Sequence, residues 1–329
     1  MNPTVAHPGP RRVTFRSKFM PDGMNEHYQH MNRLTLAQVD PSDSRYKELP
    51  PQYTCMLPLD SASKARGTSG SSGYVTTVSK VISKKNGVAY ALRRVDNVRS
   101  TTHIVSHVLK SWSRFAHPGV VPLRDAFLYQ SCASSVMFLH DYFPGAVTLR
   151  EQFLQAPGTP ISEATLWSFA VQMCTAIEAV HRAGMSLRGV HASRVLLTSH
   201  NRLRIGGVGV IDVLEVESKA TLLELQQQDV RGFVQLMLEL ATRNPSAASV
   251  AAKALDQVSS SYSEPFSRFM VTLASEPLPA YDITRILQPH VVHELEAVRV
   301  HADAVDTLLG REFENGRLLR LLVKMAFTD

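Results

Sequence analysis

Residues 187 to 197 read LRGVHASRVLL, and this stretch connects a helical pattern before it to a pair of short strands after it. Upstream, apolar residues recur every three or four positions and predict one buried helix face: Leu166, Phe169, Met173, Ile177 and Val180. Downstream, VLLT at 195 to 198 and LRIGG at 203 to 207 read as strands. A second apolar helix is expected from Asp229 to about Thr242.

The first half of the chain has the pattern of a β-sheet. YVTTVSKVI, which begins at Tyr74, alternates apolar and polar residues, KNG at 85 to 87 marks a turn, and VAYALRRV reads as a second strand. A helix over residues 98 to 115 and the apolar strands VVPLRDAFLY and SSVMFLHDYF follow. A strand-rich small lobe to about residue 143 and a larger helical lobe after it form an α+β architecture.

The order of these elements over residues 61 to 288 resembles the two-lobed protein-kinase fold, in which phosphoryl transfer needs a fixed set of side chains. Arg93 stands at the position of the phosphate-gripping strand lysine. Gly189 stands at the position of the catalytic base, and Arg194 at that of the metal-binding asparagine. Gly207 replaces the metal-binding aspartate of the next motif. These degenerate positions predict a pseudokinase without catalytic residues.

Two further features support the same interpretation. No acidic residue occurs between Asp96 and Asp125, so the helix glutamate that orients the strand lysine is missing. Asp229 matches the aspartate that braces the catalytic-loop backbone in kinases, so a bracing residue remains while the chemical ones are gone. The alternative is an unconventional ATP-dependent kinase or ATPase with a rearranged cleft.

Six stretches are similar to one family, the regulatory pseudokinase subunit of the poly(A)-nuclease (PAN) deadenylation complex. They are KFMPDGMNEHYQHMNRLTLAQVD at 18 to 40, NGVAYALRRV at 86 to 95, LRGVHASRVLL at 187 to 197, LRIGGVGVIDVL at 203 to 214, QQQDV at 226 to 230 and ENGRLLRLL at 314 to 322. The resemblance implies a non-catalytic scaffold that homodimerises and binds ATP without hydrolysing it. It also implies three partners: the catalytic exonuclease subunit, poly(A)-binding protein and poly(A) RNA.

The expected domain order follows that resemblance. Residues 1 to 60 are expected to be an irregular N-terminal extension with one short helix, and 61 to 288 the pseudokinase domain. Residues 289 to 312 are expected to form a coiled coil, and 313 to 329 the start of a truncated C-terminal knob domain.

The coiled coil is predicted from apolar residues that alternate spacings of four and three. This seam consists of Val291, Leu295, Val298, Ala302, Val305 and Leu309. Glu312 and Gly316 are expected to end it. The seam favours a homodimer, although a helix that packs back on its own lobe would show a similar stripe.

ATP is the expected cofactor, and its phosphates are expected near Gly70, Gly73, Arg93 and Arg194. Gly70 and Gly73 lie where a phosphate-covering loop would be, but the glycine spacing is not G-x-G-x-x-G and favours a flexible Gly/Ser-rich loop. Arg93 can contact a phosphate or pair with a nearby acid.

The chain has a formal net charge of +6 and a pI of about 9.3, which suits an acidic partner as well as plain solubility. The hairpin around Lys80, Lys84, Lys85 and Arg94 is the predicted RNA-binding patch. A solvated basic face is the alternative reading of the hairpin, and a simple RNA-binding module is an alternative function for the chain.

His103 and His107 stand at i,i+4 spacing, but no third ligand lies nearby in sequence, so we expect no metal site. The three cysteines are far apart, which is typical of a reducing compartment. No apolar run reaches the length of a membrane span, so the sequence predicts a cytoplasmic protein without a membrane partner.

Overall fold

A computed structural model of the chain describes residues 21–60, 74–130, 134–155, 158, 160–276 and 278–327. These residues fall into two compact units. The main unit comprises the described residues from 37 to 287, and the second unit comprises 21–36 and 288–327.

The strands are β1 Tyr53–Pro58, β2 Thr76–Ser83, β3 Ala89–Asp96, β4 Leu123–Gln130, β5 Ser134–Asp141, β6 Val147–Thr148, β7 Val195–Thr198 and β8 Arg202–Ile205. The α-helices are α1 Asp22–Leu36, α2 Thr102–Trp112, α3 Glu163–Arg182, α4 Val210–Leu214, α5 Leu222–Thr242, α6 Ala251–Ser261, α7 Glu264–Ser275, α8 Ala280–Ile286 and α9 Gln288–Ala326. Helix α1 agrees with the short helix expected in the N-terminal extension.

The small lobe of the main unit is a five-stranded antiparallel sheet in the order β1-β2-β3-β5-β4. The predicted β2–β3 hairpin is confirmed. Gly87 takes the left-handed backbone that its turn requires, with φ of +69°, and its N–H donates to Ser83 O at 2.8 Å. In the sheet, Arg93 of β3 lies opposite Phe138 of β5.

The expectation that residues 1 to 60 are irregular apart from one helix is wrong for β1, which pairs with β2. Tyr53 and Met56 are buried in the small-lobe core although they are three residues apart. A bulge around Cys55, whose φ is +52°, inserts a residue between them. The strand therefore lacks the two-residue alternation by which strands are found in a sequence.

The large lobe is built around α3, where the predicted apolar face is confirmed because all five of its residues are buried. Helix α5 packs on α3 and begins seven residues earlier than Asp229, the expected start. Thr221 and Glu224 form a capping box at its first turn. The two predicted short strands, β7 and β8, are confirmed and pair with each other, and the last three residues of LRGVHASRVLL belong to β7.

The second unit consists of α1 and α9. Helix α9 carries the residues of the predicted seam, and the helix itself continues without interruption past Glu312 and Gly316, where the seam is predicted to end. A glycine in a helix costs only about 1 kcal/mol, and the strong helix formers Arg317, Leu318 and Leu319 follow it. Helix α9 has no buried residue among those described.

Among the described helices, none is both long enough and apolar enough to cross a membrane.

Candidate functional site

Asp229 anchors the loop that precedes β7. Its side chain is completely buried and accepts hydrogen bonds from Leu187 N at 2.7 Å and Gly189 N at 3.2 Å. It also accepts from Ser186 Oγ at 2.8 Å, and His181 Nε2 lies 3.1 Å away. The prediction that Asp229 braces the backbone of this loop is confirmed.

Arg194 fills the space that the missing catalytic side chains leave. Its Nη1 donates to Arg188 O at 3.0 Å and its Nη2 donates to Gly207 O at 2.8 Å. A Cβ atom built on Gly189 would lie 2.8 Å from Nη1, so a side chain there would displace the guanidinium group. The three degenerate positions therefore form one arrangement, in which a fixed cation stands where a kinase would hold its metal ion.

Arg194 interacts electrostatically with Arg93 and with the carboxylates of Asp229 and Asp212. Burial, and then repulsion by Arg93, lowers the pKa of Arg194 to about 10. Burial also lowers the pKa of Arg93, against the attraction of Asp60. Burial, and then repulsion by Arg93, also lowers the pKa of His140 to about 4. The ring of His140 is therefore neutral, and its Nε2 donates to Val208 O at 3.1 Å. Two guanidinium groups close enough to repel each other can be stabilised by an anion between them.

Helix α2 is tied to the large lobe by a contact that the sequence did not reveal. Trp112 Nε1 donates to Asp212 Oδ2 at 2.8 Å, across one hundred residues of sequence. Burial raises the pKa of Asp212, while this hydrogen bond and then Arg188 lower it. One signal in the sequence could have indicated this contact. Asp212 is the single acidic residue within the apolar run at 208 to 214, and its partner is the tryptophan at the end of α2.

The predicted RNA-binding patch is wrong for Lys80, which is completely buried. Lys80 Nζ donates to Ala37 O at 2.5 Å, and burial lowers its pKa. Arg94 forms ion pairs with Asp96 and Glu48, each at 2.6 Å, so nearby carboxylates compensate its charge. The alternation of a strand explains the error, because near neighbours on one hairpin face different environments.

Lys84 and Lys85 remain exposed at the β2–β3 turn. Lys84 Nζ donates to Pro51 O at 2.7 Å. The phosphate-covering role predicted for Gly70 and Gly73 lies outside the described residues. Within the described residues, no group of three or more His, Cys, Asp or Glu side chains is placed to hold a metal ion.

An antiparallel-sheet lobe, a helical lobe, a braced loop and a cleft with an arginine at the metal position define a pseudokinase. Residues 280–329 match the sequence model of the Pan3 C-terminal knob domain. Structures of the Neurospora crassa PAN3 pseudokinase are similar: one is 27% identical with a TM-score of 0.83, covering 93% of this chain and 79% of that one. The chain belongs to the PAN3 family.

Curated relatives carry the same family name. The PAN2-PAN3 deadenylation complex subunit of Dictyostelium discoideum is 32% identical over 97% of this chain and 44% of its own length. That of Cryptococcus neoformans is 30% identical over 78% of this chain and 41% of its own length. The chain thus spans less than half the length of these two relatives. A complex of Neurospora crassa PAN2 (WD40-CS1) with PAN3 includes a similar chain, with a TM-score of 0.83, 26% identity, and coverage of 94% of this chain and 78% of that one.

Proposed function

We propose that this chain is a non-catalytic regulatory scaffold of a poly(A)-tail-shortening complex, which recruits the exonuclease subunit to mRNA in the cytoplasm. The observation that carries the proposal is the Arg194 arrangement together with the intact Asp229 brace. The kinase fold is maintained by its structural contacts, while a fixed cation occupies the position from which catalysis would need a metal ion. The names of the curated relatives supply the complex in which such a scaffold works.

The test is reconstitution with the exonuclease subunit of the same organism. We expect the two proteins to co-purify, and the chain to increase the rate of shortening of a labelled poly(A) RNA on the order of tenfold, because tethering raises the effective concentration of substrate. Failure to co-purify, or an unchanged rate, would contradict the proposal. The non-catalytic assignment has its own test, which is phosphate transfer from labelled ATP by the wild-type chain. Transfer whose rate changes in the Gly189→Asp variant would contradict that assignment.

We infer that the cleft binds ATP without hydrolysing it and with little need for Mg²⁺. The positive charges of Arg93 and Arg194 support this, since they can neutralise phosphates directly. The Arg93→Ala change is expected to abolish the rise in melting temperature that millimolar ATP causes, with or without EDTA. Arg99→Ala is the control, because Arg99 is exposed and lies on the loop after β3. Absence of ATP binding to the wild-type chain in calorimetry would rule out the nucleotide proposal and leave the scaffold untouched.

We also propose that the chain forms a homodimer through α9. The exposure of the seam supports it: Leu295, Val298 and Leu309 are 48%, 43% and 58% exposed. An amphipathic helix that leaves such residues in water gains free energy by pairing.

Poly(A) RNA and poly(A)-binding protein remain proposed partners. Of the predicted patch, Lys84 and Lys85 are the exposed cations at the β2–β3 turn, so any RNA contact by this hairpin depends on them. Replacing both by glutamine should weaken poly(A) binding and reduce its salt dependence. The same measurement on the Lys110→Gln variant, an exposed lysine on α2, is the control.

A further inference from the structure

A cavity of about 540 Å³ opens within the main unit, between α2, the loop at 184 to 188 and the start of α5. Its walls are largely apolar and include Ile104, Val108, Met185, Val216 and Leu225. Its volume lies within the range of about 300 to 1,000 Å³ that is common for ligand sites.

A short connection between α4 and α5 borders the cavity. Only residues 215 to 221 join the two helices, where an active kinase would place a long activation segment. Val216 and Leu222 line the cavity and are nevertheless 50% and 45% exposed, and Leu223 beside them is 65% exposed. The apolar wall therefore continues onto the surface, where covering it would remove apolar area from water.

The edge of the cavity is acidic, although the whole chain has a formal net charge of +6. Asp212 and Glu215 lie 3.7 Å and 3.1 Å from the guanidinium nitrogens of Arg188, so two carboxylates share one cation. Glu217 is exposed two residues further along and is followed by the exposed Lys219, so three carboxylates and two cations lie at this edge. A ligand that brings a positive charge to this edge would meet a complementary surface.

The arginine in the wall favours a peptide as the ligand. The side chain of Arg188 is only 10% exposed, and its Nε atom has no hydrogen-bond partner among the described residues. A peptide main chain offers carbonyl oxygens, which are acceptors for an N–H of this kind. His103 and His107, on α2, also line the cavity and can hydrogen-bond to the same main chain.

We propose that this cavity and its acidic edge bind a linear segment of a partner protein. One large aliphatic or aromatic side chain of the segment enters the cavity, and a neighbouring lysine or arginine pairs with Glu215 and Glu217. The anchor supplies the affinity through apolar burial, and the cation selects the segment.

The probe is a phage-displayed library of random peptides about twelve residues long, selected on the full chain, because an apolar anchor and a neighbouring cation fit within a few residues. Enriched sequences are expected to share a large apolar residue with a lysine or arginine within about four positions of it. One enriched peptide is then synthesised and titrated into a Trp167→Phe variant. The chain has two tryptophans, so this variant keeps only Trp112, which lines the cavity. Its emission is expected to change as the peptide binds.

A matched pair of variants locates the binding. Val216→Lys places a cation at the cavity edge and is expected to weaken binding by about tenfold or more, whereas Val216→Glu should not. Val271→Lys on α7 is the control, since Val271 is 44% exposed and lies away from the cavity lining, and its affinity should be unchanged. The proposal is overturned by lack of enrichment, by enrichment of acidic peptides, by an unresponsive Trp112, or by equal affinities of Val216→Lys and Val271→Lys.

Discussion

Helices α5 and α9 carry apolar residues at helical spacing, but they are stabilised in different ways. Nine of the 21 residues of α5 are buried, among them Phe233 and Met237. Helix α9 is 39 residues long and buries none of those described. A stripe of apolar residues therefore predicts that a helix will pack, but it does not say whether the surface that covers the stripe belongs to the same chain.

This difference distinguishes the helix that supports the candidate site from the helix proposed to form the homodimer. Helix α5 holds Asp229, so the packing of α5 fixes the loop that contains Gly189. Helix α9 leaves Leu295 and Leu309 in contact with solvent. Changes in α5 should therefore unfold the main unit, whereas changes in α9 should affect association. Both tryptophans, Trp112 and Trp167, lie in the main unit, so their emission reports its unfolding separately.

The largest effect on the main unit is expected from Asp229→Ala. The change removes the acceptor for Leu187 N, Gly189 N and Ser186 Oγ inside a closed core. Leaving these donors unpaired should lower the free energy of unfolding by about 3 to 5 kcal/mol, as measured by urea denaturation. The control is Asp256→Ala on the exposed face of α6, for which a change within about 0.5 kcal/mol is expected. Equal stabilities of the two variants would mean that Asp229 is not a brace.

A smaller effect is expected from acid, through His140 in the same unit. Its pKa in the folded chain is about 4, below the ordinary value of 6.5, so the unfolded chain binds more protons between these two values. Stability is therefore complete above about pH 6.5 and is lost as the pH falls towards 4. The loss by pH 5 should be about 2 kcal/mol from this group.

The His140→Gln variant tests the assignment of that loss. Glutamine can donate to Val208 O but takes up no proton, so the difference in unfolding free energy between pH 7.5 and pH 5 should shrink by about 2 kcal/mol. An identical pH dependence in the variant and the wild-type chain would place the titration elsewhere.

The smallest effect on the main unit is expected from α9. Replacing Leu295 and Val305 together by aspartate should change the unfolding free energy of the main unit by less than about 0.5 kcal/mol. The same change should convert a dimer to a monomer in light scattering, because each charge would be buried in the seam without a partner. His293→Asp with Thr307→Asp is the matched control on the outer face of the helix and should stay dimeric. A wild-type chain that is monomeric at micromolar concentration would refute the seam.

Several parts of the fold follow from the sequence alone because the signal is local. The apolar face of α3, the β2–β3 turn at Gly87 and the β7–β8 pair each depend on residues close together in the chain. The identities of Gly189 and Arg194 also suffice to predict that catalytic groups are missing.

Only the tertiary structure decides the rest, since the relevant partners are distant in sequence. Lys80 reads as a surface cation until Ala37 is found beside it, and the bulge that lets β1 join the sheet has no periodic signal. Trp112 and Asp212 are one hundred residues apart. The sequence names Arg194 as a departure from the kinase pattern, but only the folded loop shows that its guanidinium group bonds two carbonyls and fills the metal position, because that space is enclosed by segments that meet only after folding.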